Sequence, residues 1–324
     1  MAVPAALNKY KRPLFTGFLL GMVVFFLLFF LADFQEVTRA LAAIDLRLLP
    51  LILLLAPLNY LFRYVKWNYY LQIAGIKPAP KMNRYIFLSG LSMTVTPGKV
   101  GELLKCYLLK EHMNAPVSQT SSIVMAERIT DALAMVVLAT VGSLAYPYGK
   151  VVVPLAAGIL LFTVALLHVE GLFQAVAKPF IKRNLFQKGV SFLRNFQRSA
   201  KTLFTPQHLL VAVGIGVVSW GFESFLVYLA VQALGGEISM LGSIFVVSFS
   251  SLLGALSFLP GGLGVAEGSI MAILVLTGLG KETAAAATVI TRFSTLWLGV
   301  ALGIIGLALV QKAFLRGEGR KTLT

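Results

Sequence analysis

A chain of 324 residues that is 58% hydrophobic and only 13% charged, with a mean hydropathy of +0.84, is too apolar for a soluble domain and reads as a polytopic membrane protein. Its net charge of +15 invites nucleic acid as a partner, but the distribution of the basic residues along the chain assigns them to membrane topology instead. The lone Cys106 excludes an intramolecular disulfide and argues against a Cys-ligated zinc site, and three scattered histidines add no metal-binding spacing, so no cofactor is expected.

Apolar runs at 14–32, 48–64, 123–146, 151–169, 208–234, 241–259 and 289–310 are each about long enough to cross a ~30 Å hydrocarbon core at 1.5 Å per residue. The first follows Lys9, Lys11 and Arg12 as a signal peptide would. At ~19 residues it exceeds a signal h-region, which predicts an uncleaved first span. The next loop balances Asp33, Glu36 and Asp45 against Arg39 and Arg47, whereas the loop after the second run holds Lys66, Lys77, Lys81 and Arg84 with no acid. Segment 170–207 sets Lys178, Lys182, Arg183, Lys188, Arg194, Arg198 and Lys201 against Glu170, and the C-terminus adds further basic residues. The excess alternates sides, which by the positive-inside rule predicts an inner-membrane protein with both termini cytoplasmic. Within 170–207, Val190, Leu193, Phe196, Ala200 and Leu203 recur at helical spacing with most of the basic residues elsewhere. Such a segment fits an amphipathic helix on the anionic cytoplasmic leaflet, and a solvated linker is the other reading.

The stretch TVTPGKVGELLK, 94–105, breaks an apolar run with a proline, two glycines and charges. The arms on either side, 85–96 and 100–109, are each only about 15–18 Å of helix, too short to cross alone. Pro97 and Gly98 turn the chain between them, which predicts two half-helices in a re-entrant pair beside a cavity, because irregular backbone at membrane depth needs protein or water against it. LSFLPGGLGVAEGS, 256–269, repeats the pattern: Pro97-Gly98-x-x-Gly101 matches Pro260-Gly261-x-x-Gly264. Glu102 and Glu267 follow the two breaks, and Arg128 and Arg292 lie 31 residues after Pro97 and 32 after Pro260. This predicts an internal duplication within a single transmembrane domain, 1–324, its first repeat about 48–146 and its second about 208–310. Span counting gives the breaks opposite orientations. The expected fold is therefore an all-α membrane bundle with an internal inverted repeat, two broken or re-entrant Pro-Gly helix pairs and a site near the midplane.

Charges inside the apolar runs carry the chemistry. Glu127, Arg128 and Asp131 share one helical turn. At ~2.5–3.5 kcal/mol each against lipid, they must pair or face a cavity. A closed ion-pair network bracing the bundle is one reading, and a substrate site is the other. In the second reading Arg128, Arg292, Lys99 and the backbone of Gly98, Gly101, Gly261, Gly262 and Gly264, at half-helix N-termini, bind an anionic group such as phosphate. Glu102, Glu127, Asp131, Glu267 and Glu223 then act as gates or balance charge. The acids could equally satisfy the half-helix ends themselves, and Lys99 and Lys105 could snorkel to the surface. Asn59, Arg63, Lys66 and Trp67 read by default as a surface anchor; Trp67, Tyr69, Tyr70, Tyr146 and Tyr148 fit aromatic belts. Gly299, Gly303 and Gly306 read as close helix contacts.

PGKVGELLKCYLL, the AERITD turn, LSFLPGGLGVAEGS and the late arginine of ITRFSTLW, in that order, resemble the lysylphosphatidylglycerol synthase transmembrane (flippase-like) family over nearly the whole chain. Some members aminoacylate phosphatidylglycerol and move the product across the bilayer. The resemblance implies translocation of a polar lipid, with membrane lipids bearing anionic headgroups as partners and no nucleic acid, and it leaves a homodimer open. The chain ends soon after Val310, so a soluble synthase domain is not expected and no enzymatic activity is implied. The alternatives are a proton-coupled transporter of a small anion, a membrane enzyme, for which no DxD pair or clustered histidines speak, and a scaffold for lipid-synthesis enzymes.

Overall fold

The computed structural model describes residues 15–27, 30, 32–96, 101–144, 154, 155, 158, 162 and 202–316, and among them every regular element is a helix. In chain order these are α1 (Phe15–Leu27), α2 (Phe34–Ala42), α3 (Leu49–Ile73), α4 (Pro80–Leu91), α5 (Leu104–Met113), α6 (Val117–Ser143), α7 (Pro206–Ala233), α8 (Met240–Leu256), α9 (Val265–Leu276), α10 (Lys281–Arg292) and α11 (Leu298–Leu315). Among the described residues, α3, α7 and the continuous rod formed by α10 and α11 are long and apolar enough to cross a bilayer. At 27 residues α6 is also long enough, but Glu127, Arg128 and Asp131 sit within one of its turns. The run 241–259 is one arm of the second break: α8 stops at Leu256 and the chain turns into α9. Its end is set by backbone that helices cannot adopt, with Phe258 at φ +54° and Gly261, Gly262 and Gly264 at +62°, +68° and +86°. Most of the expected span at 151–169, most of the basic segment 170–207, and Tyr146 and Tyr148 lie outside the described residues.

The two halves run through the same order of elements: a long helix, a short helix, a break, a second short helix, a long helix. Their first turns match in detail. Gly75 and Gly235 both adopt φ +71° just after α3 and α7. Gly75 donates to the Gln72 carbonyl and Gly235 to the Gln232 carbonyl, each at 3.0 Å, while Ile76 and Gly236 reach back to Leu71 and Val231. This is the glycine-dependent helix cap that satisfies terminal carbonyls. Where α3 packs along α7, Asn59 Nδ2 donates to the Ser219 carbonyl at 2.9 Å and Ser219 Oγ returns a bond to the Asn59 carbonyl at 3.1 Å. Phe62 meets Phe222 at 5.4 Å between ring centroids with the same offset of 160 residues.

Each break is satisfied locally, as backbone away from water requires. At the first, α4 tightens into a 3₁₀ turn, Ser92–Val95, and Thr96 adopts the extended conformation favoured before a proline. The hydroxyls of Ser89, Ser92, Thr94 and Thr96 donate to carbonyls three residues earlier, and Thr96 Oγ1 also accepts from the Gly101 amide at 2.9 Å. At the second, Ser257 Oγ donates to the Gly254 carbonyl and accepts from the Leu259 amide. The two breaks touch: Pro260–Gly262 packs on Ser92–Val95. Around them α11 lies on α4, and α8 and α7 both lie on α6.

Small residues permit these approaches. A Cβ on Gly306 would sit 2.6 Å from the Ser89 amide nitrogen, and one on Gly303 would collide with the backbone of Leu91 and Ser92. Gly303→Val and Gly306→Val should therefore each destabilise the fold by about 1–3 kcal/mol through overpacking. Gly221→Ala, with nothing within 4 Å of its Cβ, should not lower stability. Thermal midpoints of the detergent-solubilised protein test this, and an unchanged midpoint for both valine variants would contradict the packing described.

Candidate functional site

A cavity of about 270 Å³ opens where the two breaks meet, just under the ~300 Å³ lower end of small-ligand pockets. Its wall draws on α3 (Tyr60, Arg63), α6 (Arg128, Asp131), α7 (Trp220, Glu223), the second break (Phe258 to Gly262) and the start of the π turn after α10 (Arg292, Thr295). Leu256, Phe258 and Leu259 near it are exposed apolar side chains. The π-helical turn Phe293–Trp297 directs the Thr295 carbonyl toward α3, where it accepts the Tyr60 hydroxyl. Such bulges are frequent at functional sites because they free a backbone acceptor inside a helix.

Beneath the cavity lies a network of buried charges. Asp131 takes the Lys66 ammonium on Oδ1 and the Arg128 guanidinium on Oδ2, the latter at 3.1 Å, and Arg128 also reaches Glu102 at 3.5 Å. Lys105 pairs with Glu127 at 2.6 Å and stacks its ammonium 4.1 Å over the Trp67 ring. In the second half, Arg292 Nε donates to Glu267 Oε1 at 2.5 Å and its NH2 group to the Gly261 carbonyl at 3.0 Å. Glu267 Oε2 accepts from the Gly264 amide at 2.7 Å, capping the start of α9.

These contacts place the residues singled out in the sequence. Arg128, Arg292, Asp131, Glu223, Gly261 and Gly262 line the cavity. Glu102, Glu127 and Glu267 are buried in the ion pairs just described. The amides of Gly101 and Gly264 are already taken, by Thr96 and Glu267. Gly98 and Lys99 lie outside the described residues. Lys66 and Lys105 differ from the surface roles expected for them: Lys66 is 1% exposed, and both are held inside by carboxylates of α6. Trp67 and Tyr70 are likewise fully buried, and Trp67 donates to Asn83 Oδ1 at 2.9 Å. They pack in the core because α4, α5 and α6 cover this face of α3: Asn83 and Lys105 meet Trp67, and Thr130 meets Tyr70. Arg63 belongs to the cavity as well. The signal for it was present, since Tyr60, Arg63 and Trp67 recur three and four residues apart, with Lys66 beside Trp67, a polar stripe along one helical face.

The family model for the lysylphosphatidylglycerol synthase TM region matches residues 15–303. The chain is 24% identical over 319 residues to a UPF0104 membrane protein of Pyrococcus horikoshii, an alignment spanning 88% of this chain and 93% of that one. A UPF0104 membrane protein of Methanothermobacter thermautotrophicus is 22% identical over 329 residues, spanning 92% and 93%. Another from the same archaeon is 26% identical over 226 residues, spanning 63% and 67%.

Removing one partner of a buried ion pair leaves the other charge without compensation, at a cost of ~3–5 kcal/mol, whereas replacing both with apolar groups is close to neutral. Lys105→Met should thus strongly destabilise the protein and Lys105→Met with Glu127→Met should recover most of the loss. Unfolding in detergent, read as a double-mutant cycle, checks this; a single substitution costing less than about 1 kcal/mol would show that the pair is solvated.

Proposed function

The chain belongs to the family of the lysylphosphatidylglycerol synthase TM region, and from that premise we propose that this multi-pass membrane protein moves a polar phospholipid between leaflets. The observation that carries the reading is the cavity between the two breaks, walled by Arg63, Arg128 and Arg292 and bordered by the exposed apolar side chains of Leu256, Phe258 and Leu259. A headgroup phosphate enters among the arginines while the acyl tails stay against the apolar rim. In this reading the halves form an inverted repeat, the termini are cytoplasmic, and the site sits near the midplane of an inner membrane, where transporters of this architecture place theirs.

The ion pairs support such a step because Asp131 and Glu267, the carboxylates nearest the two arginines, each have a second partner. If a phosphate draws Arg128 away, Asp131 keeps Lys66. If it draws Arg292 away, Glu267 keeps the Gly264 amide and the positive end of α9. Neither Asp131 nor Glu267 is left bare when its arginine turns to a ligand, so at these two positions the exchange avoids the large penalty of an unpaired carboxylate. A cavity of this size also accommodates a small inorganic anion whole, which supports a proton-coupled anion transporter as the second reading.

In liposomes containing the purified protein, headgroup-labelled phosphatidylglycerol or phosphatidylethanolamine should change leaflets faster than in protein-free vesicles. Arg128→Ala and Arg292→Ala should each slow exchange by about tenfold or more, the loss of a charge-assisted bond to phosphate. Wild-type exchange by both variants, in folded protein, overturns the mechanism. Anion uptake driven by a pH gradient, without lipid exchange, favours the second reading.

A further inference from the structure

Three arginines wall the cavity, but their chemical states differ. Arg128 is bound by Glu102 and Asp131, and Arg292 by Glu267 and the Gly261 carbonyl. Arg63, in the middle of α3, is 9% exposed and makes neither an ion pair nor a hydrogen bond among the described residues. Asp131 lies within its electrostatic reach, but both oxygens of that carboxylate are committed, one to Lys66 and one to Arg128. A buried guanidinium cannot shed its charge as a lysine or histidine can, because it does not deprotonate in proteins. Asp131 and Glu223, on the same wall, offset part of its charge, and water in the cavity or an anion from outside supplies the acceptors that its N–H groups lack.

The polar atoms left unfilled around it point the same way. Trp220, also on the cavity wall, has a buried indole Nε1 with no acceptor among the described residues, and the Nε of Arg128 is in the same condition. Both are donors. Beside the carboxylates of Asp131 and Glu223, the wall keeps a guanidinium, an indole N–H and a further guanidinium N–H as spare donors, which suit a ligand rich in acceptors. The planar fork of Arg63 suits two oxygens of one phosphorus centre, bound side by side.

We propose that Arg63, with Trp220 beside it in the wall, is the oxyanion-recognition site of the cavity, taking a phosphodiester or phosphate group. Arg128 and Arg292 are braces that engage only after the anion has docked on Arg63. This rests on the reading that the cavity receives a charged headgroup, and adds which residue captures it and which functional group is captured. It also inverts the usual relation between charge removal and stability. Taking away an arginine that braces a carboxylate weakens the fold, whereas taking away a buried arginine that donates to none does not.

The test uses the full-length protein in detergent, its thermal midpoint followed against increasing short-chain phosphatidylglycerol, against inorganic phosphate, and against short-chain diacylglycerol, which lacks the phosphate. The midpoint should rise with the phospholipid and stay flat with diacylglycerol. Arg63→Gln should leave the ligand-free midpoint at or above wild type and raise the half-saturating lipid concentration by about tenfold or more. Arg63→Lys should recover part of that affinity, Trp220→Phe should weaken it at an unchanged ligand-free midpoint, and Arg292→Gln should lower the ligand-free midpoint. The proposal fails if Arg63→Gln binds like wild type, if its ligand-free midpoint falls as far as that of Arg292→Gln, or if neither phosphate source stabilises the wild type. A response to inorganic phosphate alone keeps the oxyanion site and removes the lipid reading. Lipid binding lost in Arg63→Gln, in a protein whose wild type exchanges no lipid in vesicles, keeps the site and removes the transport.

Discussion

Asp131 is the residue on which the interior depends. One buried carboxylate holds Lys66 of α3 on one oxygen and Arg128 of its own helix on the other. Arg128 continues to Glu102 at the first break, and one turn away Glu127 holds Lys105 of α5. The physical constraint is that a charge inside an apolar bundle cannot be left alone. Obeying it ties α3, α5 and α6 together around the first break more specifically than the aliphatic packing around them could, because ion pairs fix register and leucines do not.

Sharing of counter-charges makes this network more than a brace. A pair in which each ion has a single partner is locked, since parting them strands both. Here Asp131 and Glu267 each have a second partner, a lysine in one case and a helix-terminal amide in the other. The arginines they hold are thereby kept charged, oriented and exchangeable at the edge of a cavity. The glycines at the second break add the steric half of the same arrangement. A Cβ on Gly262 would meet the Gly254 backbone at 3.0 Å, so the second break can fold back this closely on α8 only without a side chain there.

How much of this could be read in the chain follows from whether each signal is local. The helical class and the long apolar helices were legible because 3.6-residue burial and length are local properties. Both breaks were legible because proline and clustered glycines act on the backbone where they stand. The end of α8 was less so: the apolar run continues unbroken to Leu259, and only the positive φ of Phe258 shows that the helix has already stopped. Lys66 was not legible as a buried residue. In sequence, a lysine at the end of an apolar run reads the same whether it snorkels to water or meets an aspartate 65 residues away. Arg63 was legible by its spacing from Tyr60 and Trp67 as part of a polar stripe, but that it donates to no carboxylate has no sequence signature.

The two breaks solve one problem with different chemistry, and the difference has a mechanical consequence. At the first, hydroxyls of Ser89, Ser92, Thr94 and Thr96 fill the carbonyls of a tightened helix end, and two ion pairs from α6, Glu127 to Lys105 and Arg128 to Glu102, hold the second arm. At the second, glycines at positive φ carry the turn, and among the described residues a single ion pair, Arg292 with Glu267, joins the break to the helix behind it. Glycine imposes no rotational preference that must be overcome. Releasing one arginine therefore frees the second break, whereas the first stays pinned through Lys105 even when Arg128 lets go, and Lys66 keeps α6 tied to α3. The halves resemble one another in order and length, but the resistance to rearrangement is concentrated in the first, which makes it the frame against which the second half would move.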